Sequence, residues 1–287
     1  MDEHKIHRFQ IPKKLDHFDH RDSKGEVYIR LTMSGPAWLN NPSPSHVFRL
    51  SVASCILTCF AAIAGVAAYL STGSSSVLGF GVENIIDFLS SVIVIWRFYA
   101  PNMDEMDENY PKVLERREKR ASVAISFIML LLAWALSVAA FEEITEGVKE
   151  DDDNDDELLI LSIPAMFVFI PLAFIKFRYA GCLNSPALLK DAYCSLFGGI
   201  LAMSVLVNSF IISNDPDLWI LDPLVAIFVS IACCLIGVRS ILKNLNQGNQ
   251  IFSLSWWFTD PVTKDDKSAE VDTTEKVNTE ENENEVV

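Results

Sequence analysis

Long apolar runs alternate with polar or charged blocks between residues 47 and 245 of this chain. A helix that crosses a bilayer takes about 20 residues, and each apolar run is long enough for one. The pattern therefore predicts an all-α membrane protein with six transmembrane helices. We place these helices at residues 47–71, 76–99, 121–141, 158–178, 185–209 and 218–242.

Polar segments flank this six-helix transmembrane domain, residues 47–245, on both sides. Residues 1–46 form a polar tail that we expect to be cytosolic, and residues 246–287 end in an acidic tail that we expect to be disordered. The segment QIFSLSWWF at residues 250–258 is predicted to lie along the cytosolic membrane surface. Trp256 and Trp257 are its expected interfacial anchors, since Trp is enriched at that boundary.

The composition agrees with the membrane class. Half of the residues are hydrophobic although the net charge is −15, which is typical of apolar spans joined by charged loops. The six cysteines lie in or beside apolar runs without a CxxC pair, which predicts reduced thiols. The acidic balance argues against nucleic acid as a partner. The sequence offers no nucleophile–base pair and no phosphate-binding loop, so we do not expect an enzyme.

Lys and Arg are concentrated in alternate connections. Seven precede residue 47, six lie in the segment from Arg97 to Arg120, and Arg239 and Lys243 lie at the end of helix six. We assign three more to the connection between helices four and five, namely Lys176, Arg178 and Lys190. Both termini are therefore predicted to be cytosolic, with two inverted three-helix halves. The acidic connection 142–157 then faces the exterior or a vesicle lumen, as a solvated spacer or as a weak cation-collecting surface.

Two carboxylates interrupt the second apolar run. Glu83 and Asp87 are four residues apart and share one helix face. At 1.5 Å per residue they lie roughly 10 and 16 Å into an apolar core about 30 Å thick. No Lys or Arg is predicted at that depth, so a structural ion pair would lack its cation. The alternatives are protonated carboxyl groups that pack against other helices, or a bound metal ion.

The fifth run contains a similar group of polar residues. Asp191, Cys194 and Ser195 lie roughly 9 to 15 Å from its cytosolic end at the same rise per residue. Helices two and five occupy matching places in the two halves, as in transporters with a site at the midplane between inverted repeats. The small pairs Ser90–Ser91 and Gly198–Gly199 would let the two helices approach closely.

These residues form a candidate metal site. Zinc accepts oxygen, nitrogen and sulfur ligands in a tetrahedron, and four side chains have suitable chemistry: Glu83, Asp87, Asp191 and Cys194. Ser195 is a neutral alternative, and Asn84 could assist from the adjacent face. Protons would replace the metal when it leaves, because binding requires deprotonated ligands. An oxygen-rich site leaves manganese open as an alternative to zinc.

Three segments resemble the cation diffusion facilitator family. They are GFGVENIIDFLSSVIVIWRF on helix two, SPALLKDAYCSLFGG on helix five and WILDPLVAIFVSI at helix six. The resemblance implies a homodimeric transporter that exchanges zinc for protons through acidic residues on helices two and five. In this chain those residues are Glu83, Asp87 and Asp191. Within the family, the segments are most similar to a branch of zinc transporters from endosomal or secretory vesicle membranes and plasma membranes.

The chain departs from the common family pattern in two ways. Many members carry His-x-x-x-Asp on helix five, where this chain has Cys194 and Gly198. Many also carry a folded cytosolic domain after helix six, where this chain has about 40 polar residues. The branch just described is similar in lacking that domain.

The sequence allows two further interpretations. Two HxxH pairs in the N-terminal tail could deliver or buffer zinc, or could simply be solvated: His4 with His7, and His17 with His20. The whole protein could also be a non-transporting membrane partner, for example a modulatory subunit, whose carboxyl groups are protonated and serve packing.

Overall fold

The computed structural model describes residue 39 and residues 42–72, 75–99, 110–146, 152–212 and 220–258. The predictions for the His pairs of the N-terminal tail and for the acidic tail from residue 259 lie outside these residues. So does the middle of the acidic connection, at residues 147–151.

Six long helices and one short helix make up the described part of the chain. They are α1 Pro44–Thr72, α2 Ser75–Phe98, α3 Tyr110–Glu146, α4 Asp152–Leu183, α5 Pro186–Ile212, α6 Leu221–Asn246 and α7 Leu254–Phe258. The first six are long and apolar enough to cross a membrane, which confirms the predicted all-α fold with six spans.

Helices α3 and α4 are longer than predicted. Helix α3 begins 11 residues before the predicted start at residue 121, because its charged Glu, Lys and Arg residues are good helix formers. At 1.5 Å per residue its 37 residues span about 55 Å, so its polar N-terminal turns extend beyond the apolar core of a bilayer. Helix α4 continues through Pro164 and Pro171 to Leu183, five residues past its predicted end.

A tight turn joins α4 to α5. Asn184 adopts a left-handed conformation with φ of 50°, which Asn tolerates better than most residues. Ser185 then caps α5, because its Oγ accepts the Leu188 amide at 3.2 Å, and Pro186 takes the first helical position. The connection therefore contains only two residues, and the three basic residues assigned to it lie within the helices.

The helices pack mainly in three pairs, α1 with α2, α3 with α6, and α4 with α5. Contacts of α2 with α5, and of α3 with both, join the pairs into one bundle. The α1–α2 pair approaches closely at glycine, since a Cβ at Gly65 would lie 2.8 Å from the Gly81 Cα. Large apolar side chains point outward along the bundle, including Phe60, Trp134 and Phe228 at 68–74% exposure, as a lipid-facing surface requires.

The segment after α6 packs against α3 instead of lying free on the membrane. Trp256 is 8% exposed and packs with Val123 and Ile251. Arg120 Nε donates to the Trp256 carbonyl at 2.9 Å. The Trp256 ring therefore packs against α3, and the position of this segment at the membrane surface stays a prediction. The most exposed apolar side chains of this segment are Phe252, Leu254 and Phe258.

Candidate cation site

Asp87 and Asp191 meet at the centre of the bundle, where α2 faces α5. Asp87 lies midway along α2, and both side chains are buried, at 4% and 0% exposure. Ser90 Oγ donates to Asp191 Oδ1 at 2.5 Å, and Ser91 Oγ lies 3.3 Å from the same oxygen. In the opposite direction, Ser195 Oγ lies 3.2 Å from both Asp87 carboxylate oxygens. Each carboxylate is thus held by hydroxyl groups from the facing helix.

Lys176 lies between these two carboxylates, and the prediction that the site lacks a protein cation is wrong. Its Nζ is 2.8 Å from Asp191 Oδ2 and 4.0 Å from Asp87 Oδ1. It also donates to Ser195 Oγ at 2.8 Å and to Ser91 Oγ at 3.3 Å. The side chain is fully buried. These contacts join α4 to the α2–α5 pair.

The length of α4 explains why the sequence did not reveal this cation. A helix that ended at residue 178 would place Lys176 at the membrane surface. Because α4 ends at Leu183, Lys176 lies seven residues, or about 10 Å, before the end of the helix. The apolar residues of the sequence YAGCL at 179–183 were the available indication that the helix continues.

Glu83 lies one turn before Asp87 and reaches toward α5. Its side chain is 4% exposed. A Cβ at Gly198 would overlap Glu83 Oε1, and Phe169 would be its next contact. The absence of a side chain at Gly198 therefore makes the space in which the Glu83 carboxyl group lies against α5. The carboxyl group in this pocket therefore comes from Glu83 of α2. The common family pattern instead has an Asp on helix five, at the position of Gly198.

Asn84 contributes a buried amide beside the two acids of α2. Its Nδ2 donates to the Phe80 carbonyl at 2.8 Å, one turn earlier in the same helix. Its Oδ1 has no hydrogen-bond partner within the described part of the chain. Buried amide oxygens are almost always paired, so this oxygen is available to a ligand.

Cys194 is buried at 1% exposure, but it belongs to the main apolar cluster together with Cys233 of α6. Among the described residues, no three His, Cys, Asp or Glu side chains lie close enough together to hold a metal ion. The structure thus brings Asp87, Asp191 and Ser195 together and places Glu83 against the same helix interface. It does not assemble the predicted quartet with Cys194.

A second polar layer lies nearer the ends of α2 and α3 that flank residues 100–109. Lys190, which we had assigned to a loop, is buried at 6% exposure. Its Nζ donates to Ser122 Oγ at 2.6 Å, to Ser126 Oγ at 2.9 Å and to Ser240 Oγ. Its assignment to the connection was wrong, since Lys190 lies one turn inside α5, which begins at Pro186, and also inside the helix predicted from residue 185. It ties α5 to α3 and α6.

Glu118 completes this layer from α3. One carboxylate oxygen pairs with Arg97 Nε of α2 at 2.6 Å. The other accepts hydrogen bonds at 2.8 Å from Ser185 Oγ and from the Ala187 amide at the start of α5. An acceptor at this position also suits the positive end of the helix dipole. No local pattern indicates this contact, because its partners are 21 to 69 residues away in the chain.

Residues 51–247 match the model of the cation efflux transmembrane domain. The match covers more than half of the chain, and the chain belongs to the cation efflux family. This membership confirms the family inferred from the motifs on helices two, five and six.

The chain is also similar to transmembrane protein 163 of Xenopus laevis. The two are 28% identical over 189 residues, which is 66% of this chain and 64% of that protein. The chain thus spans slightly less than two thirds of the length of this relative.

Proposed function

We propose that this protein transports a divalent cation, with zinc as its substrate, out of the cytosol. The observation that carries the proposal is the meeting of Asp87 and Asp191, two buried carboxylates from facing helices, at the centre of a cation efflux domain. Ionisable groups at such a depth are expensive and usually mark an ion pathway. We assign the same function to the neighbouring Glu83, whose carboxyl group lies at the same helix interface.

The proposed ligands come from α2 and α5. Glu83 and Asp87 supply two carboxylates, and Asp191 supplies its Oδ1 while its Oδ2 stays on Lys176. Cys194 is the proposed fourth ligand, with Asn84 Oδ1 and Ser195 Oγ as neutral alternatives. A ligating carboxylate is normally oriented by a further hydrogen-bonded group, and Lys176 would serve Asp191 in this way. Because these groups are not clustered in the structure, metal binding requires α2 and α5 to shift relative to each other.

The charges of the site favour exchange with protons. Three ionised carboxylates and one ammonium group, with Cys194 as a neutral thiol, leave a formal charge of −2, which one dication balances. An empty site with that charge would be costly in a low dielectric, so protons replace the departing metal. We therefore propose proton-coupled alternating access, in which the site opens to each side of the membrane in turn.

The charge pattern and the family support a proposal for the direction and setting of transport. With both termini cytosolic by the positive-inside rule, the connection 142–157 lies on the opposite side, where zinc is released. We propose a homodimer in an endosomal or secretory vesicle membrane or in the plasma membrane. The His pairs His4–His7 and His17–His20 would then collect zinc on the cytosolic side.

The experiment is zinc uptake by sealed proteoliposomes that contain the purified protein and an internal zinc dye. We expect uptake by the wild type, faster uptake when the vesicle interior is acidic, and none above protein-free vesicles for Asp87→Asn. Manganese and cadmium in parallel vesicles test the metal. Uptake that does not respond to the pH gradient would show a different driving force.

The Lys176–Asp191 ion pair favours a second candidate, a non-transporting membrane partner. In that case the pair and its hydroxyl groups only hold α4 and α5 against α2. This candidate predicts that zinc neither crosses the membrane nor binds the purified protein, while variants of the pair still lower its stability. The same vesicles therefore separate the two candidates.

A further inference from the structure

Basic side chains repeat along one face of the N-terminal turns of α3. Lys112, Arg116 and Lys119 are spaced by four and three residues, so they project from the same side of the helix. They line a cavity of about 480 Å³. The segment after α6, residues 247–258, lines its other side with Asn249, Ser255 and Trp256.

We propose that this cavity binds the phosphate headgroup of an anionic membrane lipid. Three lining cations face one lining carboxylate, Glu115, whose oxygen lies 2.7 Å from Lys119 Nζ. The lining therefore carries a net charge of +2. An anion with two or more negative charges, such as the headgroup of a phosphorylated phosphatidylinositol, balances that charge.

Arg116 gives the cavity a specific donor. Its Nε is buried and has no hydrogen-bond partner within the described part of the chain. Buried donors are rarely left unpaired, and a guanidinium group matches the oxygens of a phosphate in a planar, two-bond geometry. Because Arg116 lines the cavity, its guanidinium group would satisfy this donor by turning toward a bound phosphate. The amide of Asn249 and the hydroxyl of Ser255 are further polar groups in the cavity wall.

The surroundings favour a lipid over a soluble phosphate. The same segment that closes the cavity exposes Phe252, Leu254 and Phe258, at 76–83% exposure, and such side chains are stable next to acyl chains. The basic residues belong to the connection that the positive-inside rule places in the cytosol. Clusters of Lys and Arg at that membrane surface attract anionic headgroups.

The test measures binding of a fluorescent, short-chain phosphatidylinositol 4-phosphate to the purified full-length protein in detergent. Arg116→Gln removes the unpaired donor and the charge, and we expect it to weaken binding about tenfold, because hydrogen bonds to charged groups are stronger than neutral ones. Arg239→Gln is the matched control. Arg239 is exposed and does not line the cavity. Its neighbour Ser240 and Ser122 of α3 both accept a hydrogen bond from Lys190, so Arg239 lies at the same end of the bundle as the N-terminal turns of α3. It should leave binding within about twofold, as general charge attraction predicts for one surface residue.

Competition identifies the source of the phosphate. Unlabelled phosphatidylinositol 4-phosphate should displace the probe, while phosphatidylcholine, inorganic phosphate and soluble inositol phosphate should not. Equal weakening by both Arg variants, or no weakening by Arg116→Gln, would overturn the cavity as the site. If the soluble phosphates displace the probe as effectively as the lipid does, the assignment to lipid is overturned. If Arg116→Gln unfolds, Lys112→Gln, which changes an exposed side chain, takes its place with the same expected direction.

Discussion

At the scale of single residues, the site depends on how Lys176 shares its charge. Its ammonium group lies 2.8 Å from Asp191 and 4.0 Å from Asp87, so Asp191 is its main partner. Asp87 has its own hydroxyl donor, Ser195, at 3.2 Å. The two carboxylates are thus chemically different although they lie in one site. Asp191 is fixed by the Lys176 ammonium group. A metal ion would therefore meet less repulsion from Lys176 at Asp87 than at Asp191.

Asp191→Asn leaves the Lys176 ammonium buried without its main partner. Loss of one partner of a buried ion pair costs about 3–5 kcal/mol, so we expect a marked fall in the midpoint of thermal unfolding in detergent. The double variant Asp191→Asn/Lys176→Met removes both charges and should recover most of that loss. Asp87→Asn is the control, with a smaller effect because Lys176 is farther away. An unchanged midpoint for Asp191→Asn would show that the ion pair does not hold the bundle.

Cys194→Ser tests the softness of the proposed metal site. A thiolate favours zinc and cadmium over manganese, whereas carboxylates discriminate poorly. We expect the zinc-to-manganese and cadmium-to-manganese transport ratios to fall severalfold in proteoliposomes while the protein stays folded. Cys234→Ser, which changes an exposed cysteine on α6, should leave both ratios as they are. If Cys194→Ser also leaves them unchanged at equal protein content, Cys194 is a packing residue and Ser195 or Asn84 takes its place.

At the scale of helices, the contact between α2 and α5 is made possible by small residues. Ser90, Ser91 and Ser195 supply donors without bulk, and Gly198 gives room to the Glu83 carboxyl group. Small residues let membrane helices approach closely, and in this protein the space is used by acidic side chains. The position of Glu83 is therefore sensitive to the smallest addition on α5.

Gly198→Ala should change the site without unfolding the protein. The added methyl group overlaps the end of the Glu83 side chain, which is flexible and moves aside, but the carboxyl group then leaves its position. We expect the apparent zinc affinity in the transport assay to fall about 10-fold to 100-fold, as when a group that positions a ligand is changed. Gly181→Ala is the control, since a Cβ there meets nothing within 4 Å. Equal affinities for the two variants would remove Glu83 from the site.

The six spans and the meeting of α2 with α5 were predictable, because length, hydropathy and paired acids act within short stretches of sequence. Asp87 and Asp191 were found for that reason. Lys176 was missed because its depth depends on where α4 ends, and a five-residue error at a helix end moves a side chain by about 7 Å. The packing of Trp256 was not predicted because it depends on Val123, more than 130 residues earlier in the chain. Contacts of that kind leave no local pattern.

At the scale of the whole molecule, the described helices form one bundle with charge in its centre and apolar side chains on its surface. The central charges lie between α2, α4 and α5, while Lys190 and Glu118 close the bundle between α2, α3, α5 and α6. Alternating access requires the central layer to become accessible from one side while the other side stays closed. The Lys190 and Glu118 contacts are suited to hold one side closed.

The orientation of the molecule has a direct test. An epitope tag inserted before Asp151 precedes α4, which begins at Asp152, and should be labelled by antibody on intact cells that carry the protein at their surface. Tags at either terminus should be labelled only after permeabilisation, because the distribution of Lys and Arg predicts that both ends are cytosolic. Labelling of a terminal tag on intact cells would reverse the orientation and with it the direction of transport.

The most direct test of the central claim is zinc uptake by proteoliposomes with wild-type protein and with Asp87→Asn. The substitution keeps the size of the side chain and removes one negative charge at the meeting point of α2 and α5. We predict zinc uptake by the wild type and uptake no faster than in protein-free vesicles for Asp87→Asn, with both proteins folded by thermal unfolding. Equal uptake by the two proteins, or no uptake by the wild type, would contradict a cation pathway through this site.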